Sequence, residues 1–454
     1  MTGTGTAGAY QAGVLKALTE AGVRIDIVAG HGIGVVTALF AAVDGGARLW
    51  ASDGAWQHKK VGRFYRFRPA VRAVAWAAAA ALGLVVVPMA LFAAGTFVYL
   101  ISFLLGLVGF TQAAAVAEGY TALVRDAFLP HRLPTWIPQL ALILLGLLFV
   151  FILVASRRAR TRGRQREIGR FWWRVFGAPL TATGVVRFWV SNLWQLLVGG
   201  AKVSEPEPVD LARRYADLLG DNLGQPGFRE VVATVHDLDS RQDVTMAALV
   251  EPYRKLFFSP SAGTADGAPR ASETFDLLGP DRDHVIDVLA ASLCLPVAMS
   301  PWAVTLAPEG YWQGETHRYC DRPGSLGRVL DDVAAAGAEQ VIVVSSASTV
   351  ARPHALASFR LDGFGKLGEW TASQDAAATR EAVAVRRGQF RNLHLIHPAH
   401  NPTGPFDFDG AYDERSDRVQ GLAEVIARGY EDAYHQFIEP VVGGTDDLSS
   451  APSR

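Results

Sequence analysis

Gly30-His31-Gly32-Ile33-Gly34 has the spacing of a catalytic turn. A strand that enters a helix through Gly-x-?-x-Gly makes a nucleophile elbow. Its glycines permit a cramped turn that pushes the central side chain out at the top of a sheet. Chemistry requires serine at that centre; this chain has Gly32. Upstream, Gly3-Thr4-Gly5-Thr6-Ala7-Gly8 forms a glycine-rich loop whose backbone amides suit a developing negative charge, so Gly3, Thr4, Gly5 and Thr6 read as an oxyanion-type, substrate-facing loop. Gly3, Gly5 and Gly8 also satisfy Gly-x-Gly-x-x-Gly, with Asp26 near the spacing of a dinucleotide site. That rival is the weaker one, because the loop lacks a full preceding strand and Asp26 falls inside its strand, not at the carboxyl end. No other Gly-x-Ser-x-Gly occurs; Ser345 and Ser346 follow a strand without an elbow around them. His31 is expected to point away from the central position and to take no catalytic role. His394, His397 and His400 invite a metal reading, but 394 and 397 fall on opposite faces of a strand and Pro398 breaks any helix, so no metal or other cofactor is expected.

The elements that position these residues follow from periodicity. Ala9–Ala21 carries apolar residues at helical spacing and ends at Gly22, a left-handed cap. Ile25–Ala29 is an apolar, β-branched run and reads as a buried strand; Val35–Val43 continues as a helix. Later come candidate strands at Val231–Val235 and Val341–Val344, and helices at Asp283–Leu293 and Leu422–Phe437. The alternation indicates an α/β sheet covered by helices. Only Met1-Thr2 precedes the loop, so the first strand is expected to be missing or to lie upstream, encoded in frame. No basic-then-apolar opening marks a cleavable signal peptide.

These residues resemble the patatin-like phospholipase family. The resemblance rests on GTGTAGAYQAGVLKALTEAGVRIDIVAGHGIGVVTALFAAVDGG and covers residues 1–46 and about 205–440. Ala290–Pro296 resembles the stretch before the family's catalytic aspartate, and Tyr319-Cys320-Asp321 falls where that aspartate is expected. Gly337–Val344 resembles the next strand, and Asn392–Pro398 with Phe406-Asp407-Phe408 the closing strand and loop. The resemblance implies lipid acyl-ester hydrolysis by a serine–aspartate dyad, with the serine position at Gly32 and the carboxylate at Asp321. It also exposes departures. Thr4 replaces the family's second glycine and Ala7 its arginine. Arg322-Pro323 follows Asp321 in place of Gly-Gly or Gly-Ala. Arg322 is expected to pair with Asp321, and Pro323 removes a backbone donor. The expected present role is therefore a non-catalytic, lipid- or partner-binding pseudoenzyme. An active lipid acyl hydrolase with an unrecognised nucleophile is one alternative, and a membrane scaffold is another.

Between the matching blocks the composition changes. The 454 residues have a net charge of -1, which gives no global field for nucleic acid, and two cysteines, which make no disulfide or zinc framework. Mean hydropathy is +0.17, and the apolar excess is concentrated. Ala73–Ala117 and Leu133–Ser156 contain no charged residue or histidine. A helical crossing needs about 20 apolar residues. The second run predicts one crossing. The first predicts one helix kinked at Pro88, or a hairpin near Gly95. Lys59, Lys60, Arg63, Arg66 and Arg68 lie before the insertion and a run from Arg157 to Arg166 behind it. Basic flanks on both sides predict two crossings with the globular part cytoplasmic, and membrane lipid as partner, with anionic headgroups near Arg157–Arg166. Tryptophan and phenylalanine at 169–200 predict an interfacial segment.

The expected architecture is therefore an α/β, patatin-like sheet covered by helices and interrupted by a transmembrane helical insertion. Its parts are 1–50 as the N-terminal part of the domain, 70–156 as the insertion, 157–204 as a basic, aromatic interfacial segment, 205–440 as the C-terminal part, and 441–454 as a disordered tail.

Overall fold

The computed structural model describes residues 1–110, 112–127, 129, 133–160, 177–201, 203–259, 274–308, 312–348 and 362–443. The chain forms two units: Met1–Arg66 with Thr181–Arg454, and Phe67–Leu180. The arginines at 161–166 and the tail from 444 lie outside the described residues.

In the first unit, β2 (Glu230–Asp237) is the strand on which the sheet is built. Seven of its eight residues are buried, without alternation, as in a strand covered on both faces. One edge pairs with antiparallel β3 (Gln242–Ala248), which in turn pairs with β4 (Thr274–Asp276). The other edge is shared. Its first five residues run parallel to β1 (Ile27–His31), and His236 and Asp237 turn to β6 (Thr316–Cys320), which pairs with β5 (Trp302–Thr305). β7 (Gln340–Val344) and β8 (Asn392–Ile396) form a parallel pair.

Met1–Gly3 lie between β1 and β7. The His31 and Ile33 amides donate to the Met1 and Gly3 carbonyls at 3.3 and 3.1 Å, and the Thr2 amide donates to Val344 at 3.1 Å. Thr2 bridges Ser345 in parallel. No regular strand precedes the glycine loop among the described residues; Met1–Gly3 hydrogen-bond into that place as a three-residue stub.

Helix α1 (Ala7–Glu20) follows the glycine loop and α2 (Ile33–Ala42) follows the elbow; every residue of α2 is buried. The C-terminal helix Leu422–Ala433 packs on α1 with backbones nearly touching. A Cβ at Gly13 would stand 1.9 Å from the Ile426 carbonyl, so only glycine permits that approach. Tyr10 ties the pair by donating to Asp432 at 2.8 Å.

Helix Thr183–Val198 corrects the interfacial expectation for its residues. Trp189 is fully buried, its ring 5.0 Å from Trp56 and 5.8 Å from Phe40. Aromatic density there serves a core, because α2 and the 55–65 segment offer apolar partners. The first unit accordingly resumes at 181, ahead of the expected 205. Its helical end also extends through 441–443, where a disordered tail was expected.

The second unit contains helices Pro69–Leu107, Ala113–Ala127 and Leu133–Arg160. The first is continuous over 39 residues, about 58 Å at the α-helical rise, so no hairpin forms at Gly95. Tyr99 and Thr121 share a 2.5 Å hydrogen bond, Tyr120 donates to the Leu91 carbonyl and Ser102 to that of Ala113. Among the described residues one segment, Met89–Leu107, is long and apolar enough to cross a membrane; its mean hydropathy is 2.1. The helix over 133–160 retains a described apolar stretch of only ten residues, Leu142–Phe151, so the second crossing is not supported.

Candidate functional site

β1 ends at His31 and α2 begins at Ile33, leaving Gly32 alone at the turn. Its φ of 56° and ψ of -137° are open to glycine and strained for any side chain. The elbow shape is therefore present without a nucleophile. A Cβ built at Gly32 would lie 2.5 Å from the Gly3 carbonyl oxygen and 2.8 Å from Asp321 Oδ2. The space of a side chain has been taken by its neighbours.

Asp321 follows β6, where its amide donates to the Cys294 carbonyl at 2.9 Å. The carboxylate is 2% exposed. Thr4 donates to Oδ2 at 3.1 Å, and His31 Nδ1 lies 3.4 Å from Oδ1. The structure thus brings Gly32, Asp321 and the Gly3–Thr6 loop together. Arg322 is not part of this group: its guanidinium pairs with Asp243, Nε to Oδ1 at 3.0 Å. The expected Arg322–Asp321 pair is corrected, because Asp243, 7% exposed at its side chain and also bound by His236, is the carboxylate within reach.

An oxyanion hole needs donors with nothing else to bind. Here the amide that follows the elbow centre, Ile33 N–H, donates to Gly3. Thr6 N–H donates to the Pro405 carbonyl at 3.0 Å, and its hydroxyl to the Gly404 carbonyl at 2.8 Å. Ala7, at the family's arginine position, is buried at the start of α1.

His31 is the residue that sequence reasoning missed. Nε2 meets Thr2 Oγ1 at 2.6 Å while Nδ1 faces Asp321, so hydroxyl, imidazole and carboxylate stand in a chain. Gln11 supports it by donating to the Thr2 carbonyl at 3.0 Å, and Thr37 donates to Gln11 at 2.8 Å. The signal was unreadable without knowing that Met1–Gly3 lie beside β1.

The cysteines near Asp321 are inert. Burial first, and then the Asp321 charge, push the Cys294 and Cys320 thiols up to about 12, far from thiolate formation at neutral pH. Asp375, on the helix Gly363–Arg386, is also buried; burial and then Asp321 raise its carboxyl well above the ordinary value. Asp375 Oδ1, Thr379 Oγ1, Ser325 Oγ and Thr403 Oγ1 are buried without a hydrogen-bond partner among the described residues.

The three histidines do not converge. His394 packs on Phe437 at 5.0 Å, His397 is held at its amide by Gln436, and His400 pairs with Asp413 at 2.8 Å. Among the described residues no group of three or more His, Cys, Asp or Glu side chains is placed to hold a metal ion.

The site thus combines a mixed sheet, a glycine-loop helix, a strand-to-helix turn at Gly32 and a facing aspartate, Asp321. The family model of the patatin-like phospholipases matches residues 1–139, so that stretch of the chain is similar to that family. No curated protein matches the chain.

Proposed function

We propose that this is a membrane-anchored patatin-like protein whose inherited ester-hydrolysing site is silent and whose old cleft binds lipid or a protein partner. The observation that carries the reading is Gly32: the elbow has no nucleophile, and the Gly3 carbonyl and Asp321 occupy the space of one. Covalent acyl transfer needs a side-chain nucleophile. The amides of Ile33 and Thr6 are also engaged, by the Gly3 and Pro405 carbonyls. Asp375 Oδ1, buried without a partner among the described residues on a carboxyl that feels the Asp321 charge, favours retention of a polar ligand or water there, since a buried polar group without a partner costs about 1–3 kcal/mol.

The experiment is turnover of ester and phospholipid substrates, with labelling by a fluorophosphonate probe. Neither is expected. Strong labelling that survives Asp321→Ala would show another nucleophile and end the pseudoenzyme reading. A thermal-shift survey of lipids on the full chain separates a lipid binder from a scaffold.

A second reading has one observation in its favour. Thr2–His31–Asp321 has the connectivity of a hydroxyl–imidazole–carboxylate triad. Thr2 is 1% exposed, which opposes it. Probe labelling lost in Thr2→Val would establish that reading.

Anchoring rests on Met89–Leu107. Two crossings with a cytoplasmic globular part remain the arrangement that joins 1–46 to 205–440 on one side of a membrane. Cysteine probes at 50 and 440 should escape external labelling in intact cells, and a probe at 120–130 should not.

A further inference from the structure

We infer that the exposed turn Lys59–Arg66 is a docking surface for anionic phospholipid headgroups; the inference rests on the membrane-anchored reading above. Lys59, Lys60, Arg63 and Arg66 are all exposed, and between Gln57 and Arg72 there is no acidic residue. None of the four side chains pairs with a carboxylate among the described residues. Asp409, itself exposed, sets its carboxylate against Gly62, at the backbone of the turn and without an ion pair to any of the four cations.

The turn is also rigidly held, which separates it from an ordinary basic stretch. Val61, Phe64 and Tyr65 are buried. Phe64 packs on Phe188 at 5.1 Å and on Phe408 at 5.4 Å, and Tyr65 packs on Phe406 at 5.7 Å. The backbone closes through Arg63 N–H to the Lys60 carbonyl at 3.0 Å and Phe64 N–H to the Val61 carbonyl at 2.9 Å. Apolar side chains face inward and cations outward, so little ordering remains to be done when anions bind. Three residues past Arg66 the chain enters the long apolar helix that begins at Pro69. Lipid phosphate is the anion that a surface so connected meets. Free phosphate shares the chemistry and serves as the control.

Each cation near an anionic bilayer surface strengthens attraction by roughly fivefold at moderate salt. The test uses the full chain in detergent micelles, titrated with phosphatidylglycerol, phosphatidylcholine or inorganic phosphate, with binding read by thermophoresis at low and high salt. The wild type should prefer phosphatidylglycerol and lose that preference in high salt. The variant K59Q/K60Q/R63Q/R66Q should bind phosphatidylglycerol on the order of several hundredfold more weakly, with an unchanged circular dichroism spectrum. Equal binding of the two lipids, phosphate binding as tight as phosphatidylglycerol binding, or a variant that binds like wild type would overturn the inference. Carbonate extraction of the chain from phosphatidylcholine vesicles would instead defeat the anchoring, and the micelle comparison would still stand on its own result.

Discussion

Two apolar, tryptophan-containing helices of this protein behave in opposite ways. In Thr183–Val198, Trp189 is wholly buried beneath Phe40, Trp56 and Phe64. In Pro69–Leu107, Trp76 is 73% exposed and Phe92 82%. Burial of apolar side chains contributes only where partners exclude water, so the same residue types serve as a core in one place and as an exposed apolar surface in the other. Composition does not distinguish the two; the availability of packing partners does.

The comparison is broken most directly by truncation. Trp189→Ala should lower the unfolding free energy of the full chain in detergent by about 3–5 kcal/mol, the cost of deleting a large buried aromatic. Trp76→Ala should stay within about 0.5 kcal/mol. Denaturant titration in one detergent measures both, and equal losses would contradict the contrast. Next in size is Phe97→Arg, near the middle of Met89–Leu107. It should oppose membrane integration by about 2.5–3.5 kcal/mol and move part of the protein into the carbonate-soluble fraction.

The same contrast can be sharpened at the old site. Gly32→Ser should destabilise by about 1–3 kcal/mol, because a side chain is forced into occupied space at a positive φ. It should restore no ester turnover alone. Adding Ala7→Arg and Arg322→Gly tests whether a serine–aspartate geometry can be built there, though Arg322→Gly also removes the Asp243 partner. A stabilised, active Gly32→Ser protein would show that the closure around Gly32 is not real.

The smallest effect concerns acid. Burial by itself would raise the Asp243 carboxyl, but hydrogen bonds from His236 and Arg322 outweigh it and hold the group below its ordinary value of 3.8. A depressed carboxyl stabilises above the unfolded value and loses that contribution as pH falls through the folded one. Asp243→Asn should therefore lower the melting temperature at neutral pH, by an amount corresponding to about 1 kcal/mol or less for a partly exposed pair. In strong acid the two proteins should melt alike.

Much of the site was legible. The elbow, the glycine loop and the Asp321 turn come together, and β1, α1 and α2 lie within two residues of the expected positions. These are local patterns, governed by glycine conformation and apolar periodicity. Pairings at long sequence separation were not legible. Arg322 was expected on its chain neighbour and found on Asp243, because a long side chain reaches across β2 to a buried carboxylate on β3. His31 was set aside because an elbow neighbour ordinarily points away, yet it joins Thr2 to Asp321.

The sequence by itself determined the missing nucleophile, since no fold can give glycine a hydroxyl. It also determined the apolar insertion, because no charge interrupts those runs. Tertiary structure decided the rest. It set the three-residue stub into the sheet, made Thr183–Val198 a core helix, and closed Gly3 and Asp321 over the elbow. Each of these depends on segments far apart in the chain meeting at hydrogen-bond or contact distance, and periodicity within one segment carries no information about that meeting.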